Sequence, residues 1–141
     1  HFMKQSGNNK LDLIVRMRSN DLIWGASAVN IFNYTFMQEY VAAILGLEVG
    51  NYYHIADNLH FYDRHKEMVK KLSELGEWED EAVLYPIQFK SLVEFDELIT
   101  KLSIEELAMR TKMHKYKQTG FDDPFFQHWY EVLYQYNKGK L

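Results

Sequence analysis

The chain has 141 residues, of which 47% are hydrophobic and 16% aromatic; this composition predicts a packed globule and excludes a disordered tail. The formal net charge is -4 with interleaved signs, which argues against a nucleic-acid partner, although one or two arginines can still hold a single phosphate. The sequence contains no cysteine, which excludes disulfides, cysteine-based metal sites and a cysteine nucleophile within these residues.

No membrane segment or membrane partner is predicted. The longest apolar stretch, near residues 36–47, is interrupted by Gln38 and Glu39, and no signal peptide is visible. The lack of cysteine also fits a reducing compartment. We therefore expect a cytoplasmic protein.

The first predicted element is a strand over residues 10–17, in which apolar and polar side chains alternate. The apolar side of this strand carries Leu11, Leu13, Val15 and Met17. The polar side carries Asp12 and Arg16. The alternation predicts one buried face and one exposed face.

A long helix is predicted from about Val29 to Leu45, and Gly46 supplies its stop signal. Its apolar positions wrap most of the way around, so we expect it to be buried on nearly every side. The following residues, 48–62, are aromatic and β-prone and predict two short strands. Bends are expected at Asn51, Asp57 and Asn58.

The remaining elements are predicted to be mainly helical. They are a surface helix over 64–75 ending at Gly76, a loop over 77–81, a short strand over 83–89 and a helix near 94–102. Ser103 and Glu106 have the spacing of a capping box and predict a separate helix that begins there. The last helix begins at Asp123 and Pro124, because proline suits the first helical turn.

Polar side chains follow the first strand directly. Arg18, Ser19 and Asp21 lie in a loop position that often carries function on a rigid scaffold. A guanidinium beside a hydroxyl can hold a phosphate, because together they offer several donors. The alternative is an ion pair between Arg18 and Asp21 in a solvated turn. Asn30, at the helix start, is either tied to backbone or faces a pocket, because a buried amide needs partners.

His60 and Tyr62 are two residues apart on a predicted strand and therefore share one face. They are either core groups with satisfied hydrogen bonds or part of a site. His60 combined with His54 or His65 lacks the spacing to a carboxylate that metal sites show, so no metal site is predicted.

Three short motifs occur in one order: RSNDLIWG over 18–25, Asn30 at the head of an apolar helix, and NLHFY over 58–62. In this order and at about this spacing they closely resemble the thymidylate synthase family, in particular its phage-type and nucleotide-hydroxymethylating branches. We expect a single thymidylate synthase-like domain fragment over 1–141. Within it, residues 1–76 form the family-matching core and residues 77–141 a divergent helical part.

The resemblance assigns nucleotide contacts to five residues. Arg18 and Ser19 correspond to the family's ligands for the 5'-phosphate of a deoxynucleoside monophosphate. Asn30 corresponds to the amide that contacts N3 and O4 of the pyrimidine, and an asparagine there suits uracil whereas an aspartate would suit cytosine. His60 and Tyr62 correspond to the pair that hydrogen-bonds the ribose 3'-hydroxyl.

Two further residues are assigned to the folate side by the same resemblance. Asp21 corresponds to the aspartate that holds the pterin end of the folate. Gly25 corresponds to a glycine that allows the ligands to approach closely.

The resemblance implies an α/β fold in which a mixed sheet packs on a long buried central helix with outer helices. It implies an enzyme that transfers a one-carbon unit from methylenetetrahydrofolate to C5 of dUMP. It also implies a homodimer whose sheets stack back to back. The apolar side of the strand over 10–17 is then expected either at that interface or against the chain's own helices.

The sequence departs from the family pattern in three ways. The segment between Gly25 and Asn30 is one residue longer than in bacterial and animal synthases, and Met17 replaces a common glutamine. The family's nucleophilic cysteine is absent, and His1 aligns with the histidine that follows it. We therefore expect the C-terminal portion of a longer enzyme, inactive alone. The alternatives are a dUMP or dCMP hydroxymethylase and a non-catalytic nucleotide-binding or dimerisation fragment.

Overall fold

The computed structural model describes residues 1–4, 6–76 and 87–139. It divides into two compact units, His1–Ala82 and Val83–Leu141, which are described separately. The first unit contains strands β1 (Phe2–Lys4), β2 (Lys10–Met17), β3 (Asn20–Asp21), β4 (Glu48–Ala56) and β5 (Leu59–His60) and helices α1 (Asn30–Leu45) and α2 (Lys66–Glu74). The second contains helices α3 (Leu92–Lys112) and α4 (Pro124–Lys138).

The first unit is built on a mixed sheet in the order β1-β2-β4. β1 is antiparallel to β2, and β2 is parallel to β4. The short strands β3 and β5 form a second, parallel pair. Helix α1 lies in the connection from β2 to its parallel partner β4 and in the connection from β3 to its parallel partner β5. It packs on β2 and β4. This mixed α/β architecture confirms the predicted fold class.

The strand predicted over residues 10–17 is confirmed, but Asp12 is not on an exposed face. Leu11, Leu13 and Val15 are buried within the chain itself, and Asp12 is only 2% exposed. The β2–β4 register shifts between Leu11 and Leu13. Asp12 is buried because its Oδ1 accepts a hydrogen bond of 2.8 Å from the backbone N–H of Asn51 at this bulge.

A second buried side chain also stabilises the bulge. Gln38 of α1 donates through Nε2 to the carbonyl oxygens of Leu11 (2.8 Å) and Asn51 (3.1 Å). A Cβ at Gly50 would lie 2.2 Å from Asp12 Oδ1, so this position requires glycine. The predicted bends at Asp57 and Asn58 separate β4 from β5 as expected, whereas Asn51 lies inside β4, where the strand bulges instead of turning.

Helix α1 begins at Asn30 and ends at Gly46, which adopts φ 66°, close to the predicted bounds. The prediction that this helix is buried on nearly every side is wrong. Its buried residues are Gln38 and Ala42, while Ile31, Phe32 and Leu45 are exposed. The reason is that α1 packs on the sheet with one face, and the described residues cover its other apolar positions only in part.

The second unit has an aromatic core. Phe89 lies 6.3 Å from Phe125 and 5.9 Å from Phe126, measured between ring centroids. Tyr130 of α4 is fully buried. Of the strand predicted over 83–89, residues 83–86 lie outside the described residues and 87–89 are not in a strand.

The helical boundaries of the second unit correct one prediction. α3 is a single helix, so Ser103 lies in its interior and does not cap a separate helix. The N-cap is Ser91, whose Oγ accepts from the N–H of Glu94. No glycine or proline interrupts the sequence around Ser103, so the hydrogen-bond ladder continues. The predicted start of α4 is confirmed, because Asp123 accepts from the N–H of Phe126.

Helix α2 matches the predicted surface helix, with Met68, Leu72 and Leu75 exposed. Within residues 1–4, 6–76 and 87–139, no helix has both the length and the apolar character needed to cross a bilayer.

Candidate functional site

The pairing of β3 with β5 brings two of the sequence motifs together. Asn20 pairs with Leu59 and Asp21 with His60, and the N–H of Asn20 donates to the carbonyl oxygen of Asn58. Both strands are only two residues long. The motif around Ser19 therefore lies beside the motif around His60, although the two are about 40 positions apart in the sequence.

Ser19 and His60 are in direct contact. Ser19 Oγ lies 3.3 Å from His60 Nδ1, and Asn58 Nδ2 donates to Ser19 Oγ over 3.4 Å. The rings of His60 and Tyr62 pack edge to face, with 5.5 Å between their centroids. His60 is half-buried and Tyr62 is 52% exposed, so these two residues are not core groups. The Ser19 contact at Nδ1 leaves His60 Nε2 available for a ligand.

The ion pair considered between Arg18 and Asp21 does not form. Arg18 is exposed, and its guanidinium has no hydrogen bond or ion pair with any described residue. The neighbouring arginine behaves differently, since Arg16 pairs with Asp57 at 2.9 Å. Arg18 therefore offers unpaired donors next to the Ser19 hydroxyl, an arrangement suited to a phosphate.

Asp21 instead begins a π-helical segment, Leu22–Val29, that leads into α1. Its Oδ1 accepts from the N–H of Trp24 at 2.6 Å. Its Oδ2 is buried and has no hydrogen-bond partner among the described residues. A buried carboxylate oxygen without a donor is costly, so this atom fits a ligand that supplies an N–H.

Gly25 is buried where two side-chain amides converge. A Cβ at this position would lie 1.8 Å from Asn20 Oδ1 and 2.9 Å from Asn30 Nδ2. The amides of Asn20 and Asn30 therefore occupy the space that any larger residue would need. The close approach at Gly25 in this structure is made by the protein's own side chains.

Asn30 is half-buried and bonded to side chains, not to backbone. Its Nδ2 donates to Asn20 Oδ1 over 2.9 Å and contacts Met17 Sδ at 3.6 Å. Asn20 Nδ2 lies 2.6 Å from His54 Nε2, and His54 Nδ1 lies 2.7 Å from the hydroxyl of Tyr52. We call Asn20, His54 and Tyr52 the amide relay.

The amide relay was not found by sequence reasoning. Asn20 sits between two residues that were assigned roles, and Tyr52 and His54 alternate on β4, but their contact with Asn20 depends on the β2–β4 and β3–β5 pairings. Burial, followed by the nearby Tyr34, raises the pKa of Tyr52 above its ordinary value. Tyr52 therefore stays neutral and can serve as either donor or acceptor.

The structure thus joins most of the predicted site residues through contacts. Ser19, His60 and Tyr62 form one contacting group, and Asn30 and Gly25 meet at Asn20. Within the described ranges no three His, Asp or Glu side chains are grouped so as to hold a metal ion.

Comparison with known proteins identifies the family of this chain. The model of the thymidylate synthase family matches residues 1–116, and the chain therefore belongs to that family. The family consists of enzymes that use methylenetetrahydrofolate as co-substrate and bind dUMP. The match includes the motifs between residues 18 and 62 on which the resemblance was based, and it extends beyond the expected core over 1–76.

The most similar relatives include two enzyme types. A deoxyuridylate hydroxymethyltransferase of Pseudomonas phage M6 is 30% identical over 122 residues, covering 85% of this chain and 35% of that protein. A deoxyuridylate hydroxymethyltransferase of Bacillus phage SP01 is 51% identical over 55 residues, 39% of this chain and 14% of that protein. A thymidylate synthase of Bacillus licheniformis is 43% identical over 56 residues, 40% of this chain and 20% of that protein. The chain thus spans about a third or less of the length of these relatives.

Proposed function

We propose that this chain is the nucleotide-binding portion of an enzyme that transfers a one-carbon unit from methylenetetrahydrofolate to C5 of dUMP. The observation that carries this proposal is the exposed, unpaired guanidinium of Arg18, adjacent to a Ser19 hydroxyl that contacts His60. These groups offer donors for a phosphate and for a ribose hydroxyl at one place on the surface.

The roles of the residues that contact the sugar and the phosphate follow from which of their polar atoms have no partner among the described residues. Arg18 and Ser19 bind the 5'-phosphate, since both present donors there. His60 uses Nε2 for the ribose 3'-hydroxyl, because Nδ1 already contacts Ser19. Tyr62 packs edge-on against His60 and completes the same contact with its hydroxyl.

The base and the folate are assigned to Asn30 and Asp21. After Asn30 binds Asn20, its carbonyl oxygen and a second amide N–H, which makes only a weak 3.6 Å contact with Met17 Sδ, suit N3–H and O4 of uracil. Asp21 Oδ2 is a buried acceptor without a partner among the described residues and fits an N–H of the pterin. Gly25 contributes by leaving room for the Asn20 and Asn30 amides.

Chemistry at C6 of the pyrimidine would need a thiol from outside these residues. The 141 residues contain no cysteine, and the side chains that Asn30 contacts in the described residues, Asn20 and Met17, are not nucleophiles of that kind. The chain by itself is therefore expected to bind nucleotide without releasing tritium from 5-labelled dUMP.

Hydroxymethylation of dUMP is the second candidate, because the relative that covers 85% of this chain carries that name. In that reaction, water takes the place of hydride as the second partner of the transferred carbon. Analysis of the product formed by the full-length protein decides between a methyl and a hydroxymethyl group at C5.

The test of the nucleotide site is the affinity of the full-length protein for dUMP and for deoxyuridine, which lacks the phosphate. Arg18→Ala should weaken dUMP binding by about 10- to 100-fold, as expected for loss of charge-assisted bonds, and should change deoxyuridine binding little. Arg16→Ala is the matched control, because that arginine is paired with Asp57. Equal weakening of both ligands by Arg18→Ala, or none, would exclude the phosphate role.

A further inference from the structure

Asn30 by itself does not distinguish uracil from cytosine. Uracil needs an acceptor for N3–H and a donor for O4, and one orientation of an asparagine amide offers both. Cytosine needs a donor for N3 and an acceptor for its amino group. Rotation of the same amide by half a turn exchanges its nitrogen and oxygen and meets that requirement equally well. Selectivity therefore depends on whatever fixes the orientation of the Asn30 amide.

We propose that the amide relay of Asn20, His54 and Tyr52 fixes the Asn30 amide in its uracil-binding orientation and is the specificity-determining element of this site. The inference rests on the proposed role of Asn30 as the contact to the base. It assigns positioning roles to three residues that do not themselves touch the nucleotide.

The hydrogen bonds of the relay have one direction. Asn20 Nδ2 donates to His54 Nε2, so the proton of the neutral imidazole is on Nδ1 and is donated to the Tyr52 oxygen. Asn20 Oδ1 therefore faces Asn30 as an acceptor and takes its Nδ2–H. This leaves Asn30 Oδ1 for the base, together with the second N–H, whose only contact is a 3.6 Å one to Met17 Sδ, a weak acceptor that O4 of the base can displace.

Reversal of the Asn30 amide is opposed at two points. It would place Asn30 Oδ1 against Asn20 Oδ1. Two acceptors would then face each other where a hydrogen bond of 2.9 Å now forms. It would also turn Asn30 Oδ1 towards the sulfur of Met17, which accepts but does not usefully donate. Asn20 can turn with it only if His54 changes tautomer, so three groups must reverse together.

Burial and packing hold the relay in place. Asn20 is only 3% exposed, and its Oδ1 lies where a Cβ of Gly25 would be. His54 and Tyr52 are half-buried on β4. The low exposure reduces competition from water for these hydrogen bonds.

The test is the ratio of kcat/KM for dUMP to that for dCMP, measured on the full-length protein. A ratio within one variant does not depend on how much of that variant is folded. Asn20→Leu and His54→Phe should each lower the ratio by about fivefold or more, the effect of one net hydrogen bond. Asn20→Asp should keep the ratio within about twofold, because one carboxylate oxygen still accepts from Asn30. The other accepts from His54 Nε2–H in the alternative tautomer, in which the Tyr52 hydroxyl donates to Nδ1. His114→Phe, at an exposed position, is the matched control for the histidine variant.

Asn30→Asp separates failure of this inference from failure of the proposed function. If Asn30→Asp shifts preference towards dCMP while Asn20→Leu and His54→Phe match the unsubstituted protein, the relay does not determine specificity and Asn30 still contacts the base. If Asn30→Asp leaves the ratio unchanged, both the base contact and the relay inference are wrong. A loss of selectivity in Asn20→Asp equal to that in Asn20→Leu would also overturn the relay.

Discussion

Single residues in this protein are positioned by hydrogen bonds with polar groups that the surrounding strands leave without a partner. Asp12 has the sequence position of an outward-facing residue, yet it is buried because the bulge leaves the N–H of Asn51 without a strand partner. Gly25 is explained in the same way, since the Asn20 amide fills the space beside its Cα. The Asp12 contact joins residues 39 positions apart, whereas the Gly25 contact is local and depends on how the Asn20 side chain is held.

Glu39 of α1 gives a pH-dependent prediction. Burial raises the pKa of this carboxyl above its ordinary value of 4.5, so folding favours its neutral form. Its stabilising effect is complete below about pH 4.5, where folded and unfolded chains are both protonated, and is lost as the pH rises through the folded pKa. Glu39→Gln should therefore raise Tm at pH 7.5, with a gap that shrinks as the pH approaches 4.5.

Thermal unfolding followed by circular dichroism at the two pH values measures this gap. Glu97→Gln, at an exposed position of α3, is the control and should give a smaller gap at pH 7.5. A gap for Glu39→Gln that grows towards low pH would contradict the burial argument.

At the scale of elements, local sequence signals predicted where helices begin and end. They did not predict that α3 continues through Ser103 as one helix. The cap of α4 at Asp123 and the left-handed Gly46 after α1 are decided by neighbouring backbone groups, and both were predicted. The capping-box spacing at Ser103 was misleading, because Ser91 already caps a helix that runs through it. A cap can act only where the preceding backbone leaves the helical conformation.

This difference predicts unequal effects for two serine substitutions in α3. Ser91→Ala should lower the free energy of unfolding by about 1 kcal/mol, because the N–H of Glu94 loses its acceptor. Ser103→Ala, exposed in the helix interior, should change it by no more than about 0.5 kcal/mol. Urea denaturation of each variant provides the comparison. Similar losses for both serines would show that Ser103 also acts as a cap.

At the scale of the whole molecule, one face of the three-stranded sheet is open in the described residues. Tyr53 and Ile55 of β4 are 44% and 45% exposed, and their register partners on β2 are Ile14 and Arg16. The side of β2 that carries Val15 is buried within the chain, so it is not available to a partner. A back-to-back dimer, which we propose from the family resemblance, would therefore use the face with Tyr53.

Substitution on that face tests the proposed dimer. Tyr53→Lys in the full-length protein should weaken dimerisation by at least about tenfold, because a buried interface would receive an unpaired charge. Tyr136→Lys, the same change at an exposed position of α4, is the matched control. Sedimentation equilibrium over a range of concentrations gives the dissociation constants. A monomer mass for the unsubstituted protein at every concentration would exclude the dimer.

The sequence by itself determined the strand over 10–17, the bounds of α1, the start of α4 and the motifs that identify the family. These features follow from side-chain periodicity and from capping within a few residues, which are local properties. The contact of Ser19 with His60, the burial of Asp12 and the relay from Asn30 to Tyr52 were decided only by the tertiary structure. Each of these contacts depends on strand pairing between segments more than 30 residues apart. Such pairing produces no regular residue spacing within one sequence, so it cannot be predicted from the sequence alone.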